Sequence, residues 1–167
     1  LSQAVQVPDL LGEMSKILLE NAGAQRGLVL CRDEGEWFIR ARCRVQDTVI
    51  QTDLYLPLSE ATDMSLSVFN YVVHSGKSVV LGNASRDPQF SADPYLRENE
   101  IKSVLCLPIS HKGEFNLVLY LENNLTECAF TGNRLEFLQL LSGQMAISLE
   151  NALMYETLRT SIAERKR

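Results

Sequence analysis

Residues Ser103 to Asn123, SVLCLPISHKGEFNLVLYLEN, carry the pattern that most restricts what this chain can fold into. Val104, Leu105, Cys106, Leu107 and Ile109 make an almost unbroken apolar run, and Leu117, Val118, Leu119, Tyr120 and Leu121 make another. Runs of this length read as strands, and His111, Lys112 and Gly113 between them read as a tight turn. A strand apolar on both faces needs cover on both. The hairpin therefore belongs in the middle of a sheet with helices or loops against each face.

The flanking elements follow in order. Leu10, Leu11, Met14, Ile17, Leu18 and Ala22 recur at helical spacing, with Pro8 and Asp9 as the start signal and Gly23 as the stop. An amphipathic helix is expected over residues 8–22, within an N-terminal region 1–24. Residues 27–32, GLVLCR, read as a buried strand, and Asp33, Glu34 and Gly35 as a turn. Residues 37–44, WFIRARCR, then alternate as a half-exposed strand. That alternation sets Phe38, Arg40, Arg42 and Arg44 on one face and predicts that the arginines look into solvent. Residues 49–56 continue as a looser third strand.

Residues 65–75, SLSVFNYVVHS, predict a second helix stopped at Gly76, and residues 78–81 a short strand. The polar stretch 82–102, with Pro88 and Pro94, reads as a long irregular loop of the kind that often carries function. Thr131 is the expected N-cap of a final helix over residues 133–165. Leu138, Leu141, Met145, Ser148, Ala152, Tyr155, Arg159 and Ile162 alternate there by three and four, the spacing of a coiled-coil seam. Ser148 and Arg159 are its polar breaks. Leu135, Leu149, Leu153 and Leu158 are expected to pack on the sheet. A helix this long exceeds what a small domain covers, so residues 133–167 read as a rod continuing toward a neighbouring module. The start at Leu1 and the stop at Arg167, both in mid-pattern, read as the ends of a piece of something larger.

Helix, strands, helix, strand, loop, hairpin and long helix, with connections too short for parallel crossovers, predict a single α+β domain. Its centre is an antiparallel sheet of five or six strands, with the N- and C-terminal helices packed on one face. A length of 167 residues with 46% apolar content suits one compact core. A net charge of −5, with Arg165, Lys166 and Arg167 as the only basic cluster, leaves little to neutralise phosphates. Neither nucleic acid nor a membrane surface is an expected partner. No apolar run approaches the ~20 residues of a bilayer span and no charged leader precedes an apolar segment, so the cytoplasm is the expected location. Cys31, Cys43, Cys106 and Cys128 form no CxxC pair, and His74 and His111 stand alone, so no metal site is expected. GxSxG, HExxH and phosphate-cradling glycine patterns are absent, and the domain itself is expected to be no enzyme.

Four stretches together resemble a known family: YVVHSGKSVVL at residues 71–81, NASRDPQFSADPYLR at 83–97, the hairpin at 103–123, and FTGNRLEFLQLLSGQMAISLENALMYETL at 130–158. In this order they resemble the GAF domain, the small-molecule-sensing module of bacterial signalling proteins. SVLCLPI followed by LYLEN and then AISLENALMYETL is especially similar to GAF domains embedded in multidomain sensor kinases of two-component systems.

The resemblance implies a GAF/PAS-like sheet with helices on one side and a ligand cavity roofed by loops on the other. It also implies a homodimer in which the terminal helices pair and relay a signal. Cavity contributors would be Phe69, Phe90, Asp93, Tyr95 and Arg97, with Ser103 and Cys106 at the hairpin start. Leu138, Leu141, Met145, Ala152, Tyr155 and Ile162 would meet their copies at the dimer seam. Cyclic-nucleotide-binding members carry an Asn-Lys pair, then a Phe and an Asp-Glu pair. Here Asn124 precedes Leu125, and Phe130 is followed at that spacing by Arg134 and Leu135, which argues against such a ligand. Bilin-binding members use a cysteine commonly followed by histidine, a pairing lacking here. The residues name no ligand or cofactor. The alternatives are a purely structural dimerisation module and a free-methionine sulfoxide reductase, whose cysteine arrangement the four cysteines do not match.

Overall fold

The structure, a computed structural model, describes residues 6–46 and 49–165. Residues 1–5, Asp47 and Thr48, and the basic tip Lys166–Arg167 lie outside the described residues.

Helix α1 (Val7–Asn21) begins with Pro8 and Asp9 in its first turn, where a missing N–H costs nothing and a negative charge suits the helix dipole. Leu10, Leu11, Met14 and Leu18 form its buried stripe. Gly23, at φ +76°, takes the left-handed turn that ends it.

Among the described residues, seven strands form one antiparallel sheet: β1 (Arg26–Asp33), β2 (Glu36–Arg44), β3 (Val49–Gln51), β4 (Leu56–Pro57), β5 (Val79–Leu81), β6 (Ser103–His111) and β7 (Glu114–Asn123). Their order is β3-β2-β1-β7-β6-β5, with β4 also on the outer edge of β2. The count exceeds the expected five or six because the looser strand at 49–56 divides. Its first part pairs with residues 42–44 and its last with 38–39, and residues 52–55 bridge the gap. The predicted hairpin sits centrally, β7 against β1 and β6 against both β7 and β5.

Pleating sorts the central side chains into two sets. Val29, Cys31, Leu105, Leu107, Leu117, Leu119 and Leu121 face α1 and the final helix α4 (Gly132–Arg165). Leu28, Leu30, Val104, Cys106, Val118 and Tyr120 face the other way, toward α2 (Leu66–Ser75) and the segments around α3 (Pro94–Glu98). The terminal helices thus share one face. Ser65 caps α2 by accepting from the Val68 N–H, and Gly76, at φ +71°, closes it. The stretch read as irregular, 82–102, contains a turn of 3₁₀ helix at Ala84–Arg86 as well as α3, which Asp93 and Pro94 start.

The arginines of β2 correct the sequence reading. Val29 pairs with Ala41 but Leu30 with Ile39, so Arg40 is the extra residue of a β-bulge and strict alternation stops there. Arg40 is buried and Arg42 half-buried, both in ion pairs, and only Arg44 of the three is exposed. α4 runs 34 residues, about 51 Å at 1.5 Å per residue. Among the described residues no helix is long and apolar enough to cross a membrane.

Candidate functional site

The sheet face under α2 and α3 holds a buried polar cluster in an otherwise apolar layer. Alternation along β7 sends Val118, Tyr120 and Glu122 to this face, and Glu122 is wholly buried. Arg26 lies directly across on β1. Its Nη1 is 2.9 Å from Glu122 Oε1, and its Nη2 donates to Asp63 Oδ2 at 2.9 Å. Asp63 also takes the Nε of Arg42 at 2.8 Å. Two phenols complete the set, Tyr120 Oη donating to Glu122 Oε2 at 2.6 Å and Tyr95 Oη to the same oxygen at 2.9 Å.

The cluster continues into the helix caps. The Ser65 N–H donates to Tyr120 Oη at 3.0 Å, and Ser65 Oγ donates to Asp93 Oδ2 at 2.6 Å. Asp93 Oδ1 accepts from the Tyr95 N–H at 2.9 Å, which caps α3. One carboxylate on the sheet is thereby linked, through two tyrosines, to the starts of two helices. A buried carboxylate is costly unless its lone pairs are filled, and Glu122 has a guanidinium and two hydroxyls on it. Burial opposes the charge on Arg26, yet Glu122, Tyr95 and Asp63 together raise its pKa above the ordinary value. Burial, then the charge of Glu122, raises the phenols of Tyr95 and Tyr120 well above 10.

Of the seven expected cavity residues, the structure brings Asp93 and Tyr95 into this cluster. Phe69 and Phe90 are core residues beside it, Phe69 edge-on to Trp37 at 5.3 Å and Phe90 edge-on to Tyr71 at 5.7 Å. Cys106 is in the same apolar layer. Ser103 ties the hairpin to the following loop, donating to the Thr126 carbonyl at 2.6 Å and accepting from the Ala129 N–H. Arg97 is exposed and stands apart. The chain's own side chains pack this face closely, with Phe69, Leu96, Val104 and Tyr120 at 1% exposure or less.

The expected dimer seam on α4 splits. Leu138 and Ala152 lie inside the chain's own core against the sheet, and Met145 packs at its margin. Leu141 is half-buried, while Tyr155 and Ile162 are exposed. Leu158, read as sheet-packing, is 57% exposed. A separate stripe, Phe137, Leu140, Ile147, Met154 and Leu158, faces outward. Met154 and Leu158 also line a groove of about 750 Å³ between α4 and the β1–β7 end, with Arg32 and Asn116 on its far wall.

The family model described as "GAF domain" matches residues 7–149. This chain belongs to the GAF family. Among curated proteins, the GAF domain is 38% identical over 107 residues, 64% of its length, to hybrid signal transduction histidine kinase G of Dictyostelium discoideum. It is 25% identical over 158 residues, 93% of its length, to peroxide stress-activated histidine kinase mak3 of Schizosaccharomyces pombe. The chain spans 3% and 7% of the length of these two relatives. Among solved structures, it resembles the GAF domain of a two-component sensor histidine kinase from Bacillus halodurans. That match has a TM-score of 0.69 and 19% identity, and covers 92% of this chain and 99% of that one. The free methionine-R-sulfoxide reductase of Thermoplasma acidophilum shares the fold, at TM-score 0.60 and 13% identity, over 87% and 96% of the two chains.

In this GAF domain the sequence reading missed Glu122, Arg26, Asp63, Tyr120 and Ser65. The available signal was a lone glutamate closing an apolar strand two residues beyond a tyrosine, which places both on one face. Among the described residues no group of three or more His, Cys, Asp or Glu could hold a metal. Burial pushes the Cys31 thiol up to about 12 and raises those of Cys43 and Cys106, and Cys128 is exposed.

Glu122→Gln leaves Arg26 short of its partner and both phenols facing an amide, so the variant is expected to lose about 3 kcal/mol of stability by urea titration. The phenols also set an alkaline limit. Below pH 10 they are protonated whether folded or not, and their contribution is fully present. Above pH 10 the unfolded tyrosines release protons that the folded ones keep, so stability falls as pH rises. The urea midpoint is expected to decline past pH 10, more shallowly in Tyr120→Phe.

Proposed function

We propose that this GAF domain is a non-catalytic regulatory module of a larger cytoplasmic histidine kinase, working as a homodimer whose α4 helices relay a signal to the next module. The observation that carries the reading is the outward stripe of α4. Phe137, Leu140, Ile147, Met154 and Leu158 are 42–70% exposed while the opposite side of the same helix is buried in the core. They follow the 3.5-residue spacing of a coiled-coil seam, and Leu141, Tyr155 and Ile162 of the expected seam flank them. Gln144 and Asn151 fall within the stripe, where polar residues fix register at a cost in strength. The histidine kinases among the relatives support the parentage.

A non-catalytic role is supported by the thiols. Reductase chemistry needs an accessible thiolate, and three of the four cysteines are buried with raised pKa. A small-molecule ligand under α2 and α3 is the second reading, favoured by the polar cluster beside the apolar layer, as in most ligand sites. It requires α3 to lift, because the layer is packed.

Sedimentation of the chain at tens of micromolar is expected to give a dimer. Met154→Glu with Leu158→Glu, which touch solvent in the single chain, are expected to weaken association at least tenfold, about 1.4 kcal/mol, without changing the urea midpoint of the monomer. A monomer in the unsubstituted chain contradicts the reading.

A further inference from the structure

Arg40 occupies a position that the pairing of the sheet leaves open. The bulge opposite Leu30 turns its side chain out of alternation, and the outer edge of β2 is unpaired there, between β3 at residues 42–44 and β4 at 38–39. Into this gap the guanidinium makes three contacts. Its Nε donates to the Leu54 carbonyl at 3.0 Å, its Nη2 reaches Glu156 on α4 at 3.1 and 3.3 Å, and its Cζ lies over the Tyr55 ring, 4.9 Å from the centroid. Leu54, Leu56 and Leu58 pack against the apolar layer under α2 and α3. Glu156 stands one turn past Ala152, which is buried in the layer on the other face. Among the described residues, Glu156 is the most C-terminal α4 residue that bonds to the sheet.

We infer that Arg40 is a latch coupling the 52–58 segment, which runs along the outer edge of β2 and packs into the α2–α3 layer, to the emerging end of α4 on the opposite face. The inference rests on the reading of α4 as the output element. The Arg40 side chain is only 9% exposed and cannot ionise away its cost, so it stays in the gap only while both partners hold it. If Glu156 moves away, the guanidinium follows water outward and drops the Leu54 carbonyl. If the 52–58 segment lifts, Arg40 loses its Nε partner and the ring beneath it, and its hold on α4 weakens. The coupling is reciprocal, as any linkage between two contacts of one group must be. It is a direct contact at each step rather than a path inferred from proximity.

The test is amide hydrogen exchange by mass spectrometry on the 167-residue chain carrying Glu156→Ala, a substitution at a side chain 44% exposed that leaves the core intact. Exchange is expected to quicken in residues 153–162 and also, by roughly threefold, in residues 52–58 across the sheet. Arg40→Met is expected to quicken both, and the double variant to add nothing to Arg40→Met. If Arg40→Met fails to fold, the Glu156→Ala result decides alone. Unchanged exchange in 52–58 in Glu156→Ala overturns the latch. Sedimentation of the same sample reads association separately, so a failed latch and a failed dimer are told apart.

Discussion

Burial of β7 and β6 on both faces is the constraint from which the rest of the structure follows. Leu117, Leu119 and Leu121 point one way and Val118 and Tyr120 the other, all at 4% exposure or less. At roughly 25 cal/mol per Å² of apolar surface, neither set can be left in water. One face is covered by α1 and α4, helices with apolar stripes. The other is covered by α2, α3 and their connections, which bring backbone ends and polar side chains with them. The same requirement that builds the sheet therefore forces a polar cluster into the second layer.

Glu122 meets that requirement by taking its partners from three separate segments, Arg26 of β1, Tyr95 of α3 and Tyr120 of its own strand. Ser65 and Asp93 extend it to the caps of α2 and α3. Each bond is modest alone, but a buried carboxylate missing one partner is costly, so the segments are held to one arrangement. Arg40 does the corresponding work at the sheet edge, between the 52–58 segment and α4. The Glu122 cluster ties the α2–α3 layer to the sheet, whereas Arg40 alone of the two touches α4, through Glu156. In a GAF domain proposed to act through α4, the Arg40 contact is the proposed link between the 52–58 segment and the emerging helix.

Much of this was legible in the sequence for physical reasons. The hairpin at 103–123 and α1 declared themselves because their apolar periodicity is set by burial, and α2 because its apolar residues stop at Gly76. The α+β class followed from short connections. Arg40 and Arg42, though not Arg44, were misread because a one-residue bulge at Arg40 leaves no trace in an apolar pattern. The looser strand divided for the related reason that pairing, not composition, sets where β3 and β4 end. On α4, two apolar stripes lie about one residue apart around the helix, and periodicity alone does not say which meets the sheet. Leu138 and Ala152 went inward, Leu158 outward. Among the expected cavity residues, Asp93 and Tyr95 fell in the polar cluster, whereas Glu122, which organises it, carried no motif. Its role comes from an Arg26 placed opposite by strand register, which no local reading supplies.

Leu138, Ala146, Leu149 and Ala152 of α4 share one core with Leu117, Leu119 and Leu121 of β7, so what holds β7 also holds the base of the helix. Native-state amide exchange followed across low urea concentrations tests it most directly. Amides of residues 138–152 and of 118–121 are expected to open with the same free energy and the same urea dependence. If those of 138–152 open at much lower free energy and with little urea dependence, α4 is an appendage and not part of the hairpin's cooperative core.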